Sequence, residues 1–242
     1  MDRALLVAAT GMAAQQSNLE TIADNLANAD VVGFKGSAQR FAELIAPGGT
    51  GLGTVALGPL VSFGQGKLAR SGGPFDLAID GPGFFALRDD NGRRVYSRNG
   101  QFSRAADGTL RTSENYRLDG VRIPPDALSA SVAEDGSVSA KFAGGTRVIA
   151  RLHVASFAAP ELLRPLAGNY FEATLRSGAA QSIVPGSHDG PRLRFGMLEQ
   201  SNVTIVESMM QILTAQRAYE ANAKGVQAAD EMLRIANNLQ RG

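Results

Sequence analysis

The chain of 242 residues is 44% hydrophobic but only 6% aromatic, has no Trp and no Cys, and carries a formal charge of +1. This length supports a sizeable core in one large domain or two small ones. The even charge balance offers no global field for nucleic acid or anionic lipid, and the lack of Cys excludes disulfide frameworks and thiolate chemistry.

The opening "MDRALLVAATGMAA" has the outline of a weak signal peptide, one Arg followed by apolar and small residues. Asp2 offsets Arg3, however, and the helical register runs on past the supposed cleavage point, so the expectation is an uncleaved amphipathic helix within residues 1–30. Leu5, Ala9, Met12, Gln16, Leu19, Ala23 and Leu26 alternate in steps of four and three, a narrow heptad seam. The stretch "NLANADVVGFK" ends it. Asn25, Asn28 and Gly33 tolerate left-handed backbone there, and Phe34 is placed to anchor the departing chain.

Residues 31–73 are dense in glycine and predict an extended, irregular connector with a short helix around Ala38–Ile45. A structureless loop of that length is unusual inside a compact domain, which suggests a segment held by neighbouring molecules. Over residues 74–197 the period changes. Asn91-Gly92, Asn99-Gly100, Asp107-Gly108, Asp119-Gly120, Asp135-Gly136, Gly144-Gly145 and Asp189-Gly190 punctuate short β-prone runs such as "FDLAID", "GFFALR" and "SVSAKF". Evenly spaced turns between short strands predict an antiparallel, all-β domain, with one turn of helix after Pro160.

Residues 198–242 return to a helical pattern. Ile205, Ile212, Tyr219, Val226 and Leu233 recur every seven residues, with Met209, Ala215, Ala223, Ala229 and Ala236 beside them. A lone heptad helix is marginal in water and needs a partner. The expected fold class is therefore α+β: terminal helices pairing as a coiled coil, a glycine-rich extended connector, and a central antiparallel β domain.

Chemistry is scarce. His153 alternates within an apolar run and reads as a strand residue; His188 falls in a "GSHDG" turn. Neither has metal-ligand spacing to another donor. No nucleophile elbow is present, so no catalytic, metal-binding or cofactor-binding residues are expected. "GPGFFA" matches a dinucleotide-binding pattern, but that pattern needs a following helix, and Pro82 and the Phe pair predict a strand. "RRVYSRNGQFSR" interleaves basic and aromatic residues as single-strand nucleic-acid binders do; nearby Asp89, Asp90 and Asp107 offset its charge. Asn202 opens an N-x-T sequon by pattern alone. The residues leave two classes open, a subunit that associates through its ends and a binder of small molecules or glycans through its β domain.

The segment "AATGMAAQQSNLETIADNLANADVVGFK" resembles the N-terminal signature of the bacterial flagellar axial proteins, the rod, hook and hook-associated family. "SNVTIVESMMQILTAQRAYEANAKGVQAADEMLRIANNL" resembles its C-terminal signature, and "FDLAIDGPGFFAL" and "VYSRNGQFSRAADGTLRT" are similar to family segments between them. The resemblance implies a non-enzymatic subunit of a hollow helical homopolymer that transmits torque and allows export through its lumen. Implied partners are neighbouring rod proteins, hook protein, ring proteins and the flagellar type III export apparatus, with no cofactor, metal or nucleic acid. The implied location is the rod crossing the periplasm, reached without signal cleavage. Leu5, Ala9, Met12, Leu19, Ala23, Leu26, Ile205, Met209, Ile212, Tyr219, Val226 and Leu233 then become subunit contacts in the tube core. Within the family the likeness favours distal rod subunits; a short connector keeps proximal rod subunits as the alternative.

Overall fold

The computed structural model describes residues 2–45, 51–187 and 190–241. In chain order its elements are α1 (Asp2–Ala27), β1 (Ser37–Ile45), β2 (Gly51–Val61), β3 (Leu68–Arg70), β4 (Leu77–Asp80), β5 (Phe84–Arg88), β6 (Arg94–Ser97) and β7 (Ser103–Arg104). There follow β8 (Thr109–Arg111), β9 (Arg117–Arg122), β10 (Ser129–Val132), β11 (Ser137–Phe142), β12 (Gly145–Arg151), β13 (Val154–Ser156) and a 3-10 turn at Pro160–Leu162. The chain closes with β14 (Arg164–Leu166), β15 (Tyr170–Glu172), β16 (Gln181–Ile183), β17 (Arg192–Phe195), β18 (Met197–Glu199) and α2 (Ile205–Arg241). Two compact units result. A helical unit holds Met1–Ala29, Gly36–Ser62 and Val203–Gly242; a β unit holds Asp30–Lys35 and Phe63–Asn202.

In the helical unit, α1 ends where Asn28 Nδ2 donates to the Asp24 carbonyl at 2.8 Å. Thr204 and Glu207 stand at capping-box spacing at the start of α2, with the Thr204 hydroxyl donating to Glu207 Oε2 at 3.3 Å. Part of the expected connector is regular: β1 and β2 form a long antiparallel hairpin. The short helix expected around Ala38–Ile45 is strand β1. Phe41, Leu44 and Ile45 are spaced like a helix face, but the backbone of β1 is committed to β2. Gly53 and Gly58, at φ +113° and +93°, supply the left-handed residues at the two register shifts of the hairpin. The connecting residues 46–50 lie outside the described residues, as do His188 and Asp189.

The β unit is antiparallel throughout. Its largest sheet runs β14-β15-β6-β5-β9-β8-β7, with β13 joined to β5 and β16. A three-stranded sheet (β10-β11-β12) and the pairs β17-β4 and β18-β3 complete it. Leu77, Ile79, Phe85, Leu87, Val95, Leu110, Leu118, Ile123, Leu152, Tyr170 and Leu193 form the buried core, each large side chain contributing about 1.5–3 kcal/mol. Phe63, Phe84, Tyr96, Phe157 and Phe171 form a second cluster with edge-on ring contacts between 4.8 and 6.1 Å.

Most expected turns are hairpin turns, at Gly92, Gly108, Gly136 and Gly145. Two are not. Asp119-Gly120 lies inside β9, beside a register shift against β8. Asn99-Gly100 makes no hairpin, because β6 pairs with β5 and β15 whereas β7 pairs with β8. "GPGFFA" continues as strand β5, as expected, and His153 lies exposed in the link between β12 and β13 rather than in a strand.

Candidate functional site

Two places in the chain concentrate specific geometry. The first is the helical unit. A Cβ built on Gly11 would lie 2.9 Å from Asn222 Nδ2, and one on Gly225 would lie 3.9 Å from the Ala8 methyl. The helices are therefore antiparallel, and close where one of them has no side chain. Another side of α1 meets the hairpin: Thr54 N donates to Thr10 Oγ1 at 3.3 Å, and Thr21 Oγ1 to Gln39 Oε1 at 3.3 Å. Asn25 both donates to and accepts from the Ser37 backbone, at 2.6 and 2.8 Å. Asn25 is thus helical and clamps the start of β1, instead of supplying left-handed backbone.

Among the described residues, those buried along α1 are Ala14, Thr21, Ile22 and Asn25; along α2 they are Ser208, Ala215 and Ala229. Ala215 and Ala229 belong to the pattern read from the sequence, beside the α2 heptad; the heptad positions themselves are less buried. Leu5, Met12, Leu19, Leu26, Ile212 and Val226 are half-buried, whereas Ala9, Ala23, Ile205, Met209 and Tyr219 are exposed; the Leu233 side chain is outside the described set. Close helix approach selects small residues on α2 for the contact with α1, and the larger described heptad residues are half-buried or exposed. Ala215→Leu should therefore lower the stability of the helical unit by about 1–3 kcal/mol, while Ala23→Leu leaves it unchanged. Helical circular dichroism melts of the two variants below the assembly concentration check this, and equal melts would place the seam wrongly.

The second place is a buried ion cluster in the β unit, built from residues the sequence reading did not single out. Lys35 Nζ lies 2.6 Å from Glu199 Oε1, and Arg98 Nη1 lies 3.3 Å from Glu199 Oε2, with these side chains at most 3% exposed. Glu199 Oε1 also accepts from Gly66 N at 2.8 Å, and Lys35 Nζ donates to the Gly64 carbonyl at 2.7 Å. Two cations face one carboxylate. The carbonyls of Ile79 and Gly81 accept from Arg98 Nη1 and Nη2, at 3.3 and 2.7 Å, beside the Phe84 ring, while Arg98 Nε is buried without a hydrogen-bond partner among the described residues. Burial pulls the Lys35 ammonium and the Arg98 guanidinium below their usual ranges, and Glu199 opposes both shifts. Gly33, at φ +66°, donates its N–H to the Glu199 carbonyl at 2.7 Å and would carry a Cβ 2.6 Å from the Arg98 backbone. Phe34 is half-buried, and its carbonyl accepts from Asn202 N. The available signal was a Lys and an Arg inside signature segments and a Glu two residues before the C-terminal one.

An open groove of about 300 Å³ on the β unit is lined by residues including Arg94, Tyr96, Asp119, Arg151 and His153. Asp119 pairs with Arg88 and Arg94, and Arg151 with Asp135. These charges are engaged within the chain.

Three family models match the chain: a flagella basal body rod protein model over residues 5–35, the D1 domain of flagellar hook protein FlgE/F/G over 78–140, and the C-terminal model of flagellar basal body rod FlgEFG proteins over 195–239. The flagellar basal-body rod protein FlgG of Borreliella burgdorferi is 38% identical, with all of both chains aligned. FlgG of Agrobacterium fabrum is 36% identical over 97% of this chain and 98% of its own. A flagellar basal-body rod protein FlgF, from Caulobacter vibrioides, is 31% identical over 98% of this chain and 97% of its own. The order of the matched segments, and identity that runs through both helices and the sheet, make this chain a member of the flagellar basal-body rod protein family.

Proposed function

We propose that the chain is a structural subunit of the distal flagellar rod that polymerises with itself into a hollow helical tube. The observation that carries this reading is the outward face of the terminal helices. Leu6, Val7, Val206, Met210, Leu213 and Ile235 are exposed, and those on α2 lie opposite the buried Ser208–Ala215–Ala229 stripe. Apolar surface of this kind marks a site of association. Head-to-tail contacts of two different faces do not close and give filaments. In the tube α1 and α2 act as a coiled-coil core with their counterparts in neighbouring subunits, the hairpin lies against neighbours, and the polymer transmits torque while its lumen passes exported protein. Its partners are adjoining rod proteins, hook protein and surrounding rings in the periplasm, after export through the flagellar type III apparatus without signal cleavage. The chain performs no catalysis in this role.

The test is electron microscopy of purified protein across a concentration series. Fibres should form above a threshold in the parent, and Met210→Asp combined with Leu213→Asp should abolish them without changing the melting of the monomer. A parent that stays monomeric and responds to added saccharide would support a ligand binder instead. The similarity to FlgF favours a second reading, a proximal rod subunit; complementation of strains lacking one or the other rod protein separates the two.

A further inference from the structure

The chain enters or leaves the β unit at Asp30, Lys35, Phe63 and Asn202. The buried ion cluster joins the segments at those positions. Lys35 is the last residue before the chain departs for β1; Gly64 and Gly66 lie just after its return; Glu199 lies three residues before its final departure. Glu199 is the only group among the three ionised ones that carries negative charge, and it comes from the far end of the sequence. Without it, Lys35 and Arg98 would be two buried cations facing carbonyl oxygens alone, and a buried charge without its counter-ion is strongly disfavoured. Gly33 and Gly66 depend on the same residue, since their N–H groups bond its carbonyl and its carboxylate.

We propose that Glu199 is the closing residue of a latch: residues 33–35 and 66–67 hold their docked positions only when residues 199–202 are in place, and these contacts release together while the sheet, with Phe63 packed on it, stays formed. Four bonds donated by backbone amides report the latch, three accepted by carbonyls and one by the Glu199 carboxylate. They run from Gly33 N to Glu199 O, Gly66 N to Glu199 Oε1, Gln200 N to Lys67 O, and Asn202 N to Phe34 O. The core strands β5 and β6 share none of these bonds and are held by the apolar core. A latch of this kind makes the order of the segments leading to α1, the hairpin and α2 a single equilibrium, separable from the stability of the sheet. The inference does not depend on the rod reading.

Native-state amide exchange on full-length monomer tests it. In Glu199→Gln, protection at the four reporter amides should fall by at least about tenfold, the loss expected when a charge-assisted bond is removed, with β5 and β6 amides unchanged. Lys35→Met should release the same group. Loss of protection spread equally over β5 and β6, or no loss at the reporters, would overturn the proposal. Should the variants not fold, a denaturant series on the parent decides. The four amides should merge into one opening below the global transition, and following the β5–β6 isotherm at every concentration would refute the latch.

Discussion

Gly100→Ala is expected to unfold the β unit at temperatures the parent tolerates. A Cβ there would lie 1.6 Å from the Leu77 carbonyl oxygen and 3.1 Å from Phe85 Cε2. Neither neighbour has room to retreat: Leu77 and Phe85 are at most 1% exposed, and Leu77 N is bonded to the Gly100 carbonyl at 3.0 Å. Relief would require β4 to withdraw from the core and to shift against β17. The cost should reach or pass the upper end of the usual overpacking range, about 3 kcal/mol. Gly92→Ala is the control. It sits in a hairpin turn at φ +83° with open space around its missing Cβ, so only the left-handed penalty of about 1–2 kcal/mol applies. Urea unfolding of both variants, followed by exchange at β5 and β6, checks the ranking, and a Gly100 variant as stable as the Gly92 variant would contradict the close approach.

The largest effect on assembly should come from removing residues 205–242. The shortened chain keeps Glu199 and Asn202, and the apolar core of the β unit includes no residue of α2. Its sheet should therefore fold with unchanged exchange protection. The helical unit should not survive. A 26-residue α1 without its antiparallel partner is marginal in water. The outward residues of α2 go as well, so fibres should be absent at every concentration. Tubes of normal length from the shortened chain, seen by electron microscopy, would mean that the hairpin and β unit drive polymerisation.

Acting locally, the sequence determined the two helices, the antiparallel character of the middle, the strand nature of "GPGFFA" and most of the hairpin turns. Heptad spacing, and a dipeptide that favours positive φ, carry their meaning within a few residues, and the signature segments at both ends point to the family by their residues alone. Tertiary structure decided what depends on distance along the chain. The helix-like spacing of Phe41, Leu44 and Ile45 gave way because a hairpin partner satisfied the backbone of β1. Gly100 proved to be needed for a close backbone approach and not for a turn, since the atom it avoids belongs to residue 77. The pattern on α2 contained Ala215 and Ala229 of the buried stripe, but that Gly11 meets Asn222 depends on both helices at once. Nothing in the local segments of Lys35, Arg98 and Glu199 marks the three as partners. Folding across 164 positions of sequence made Lys35 and Glu199 one buried ion pair, and no local pattern encodes that.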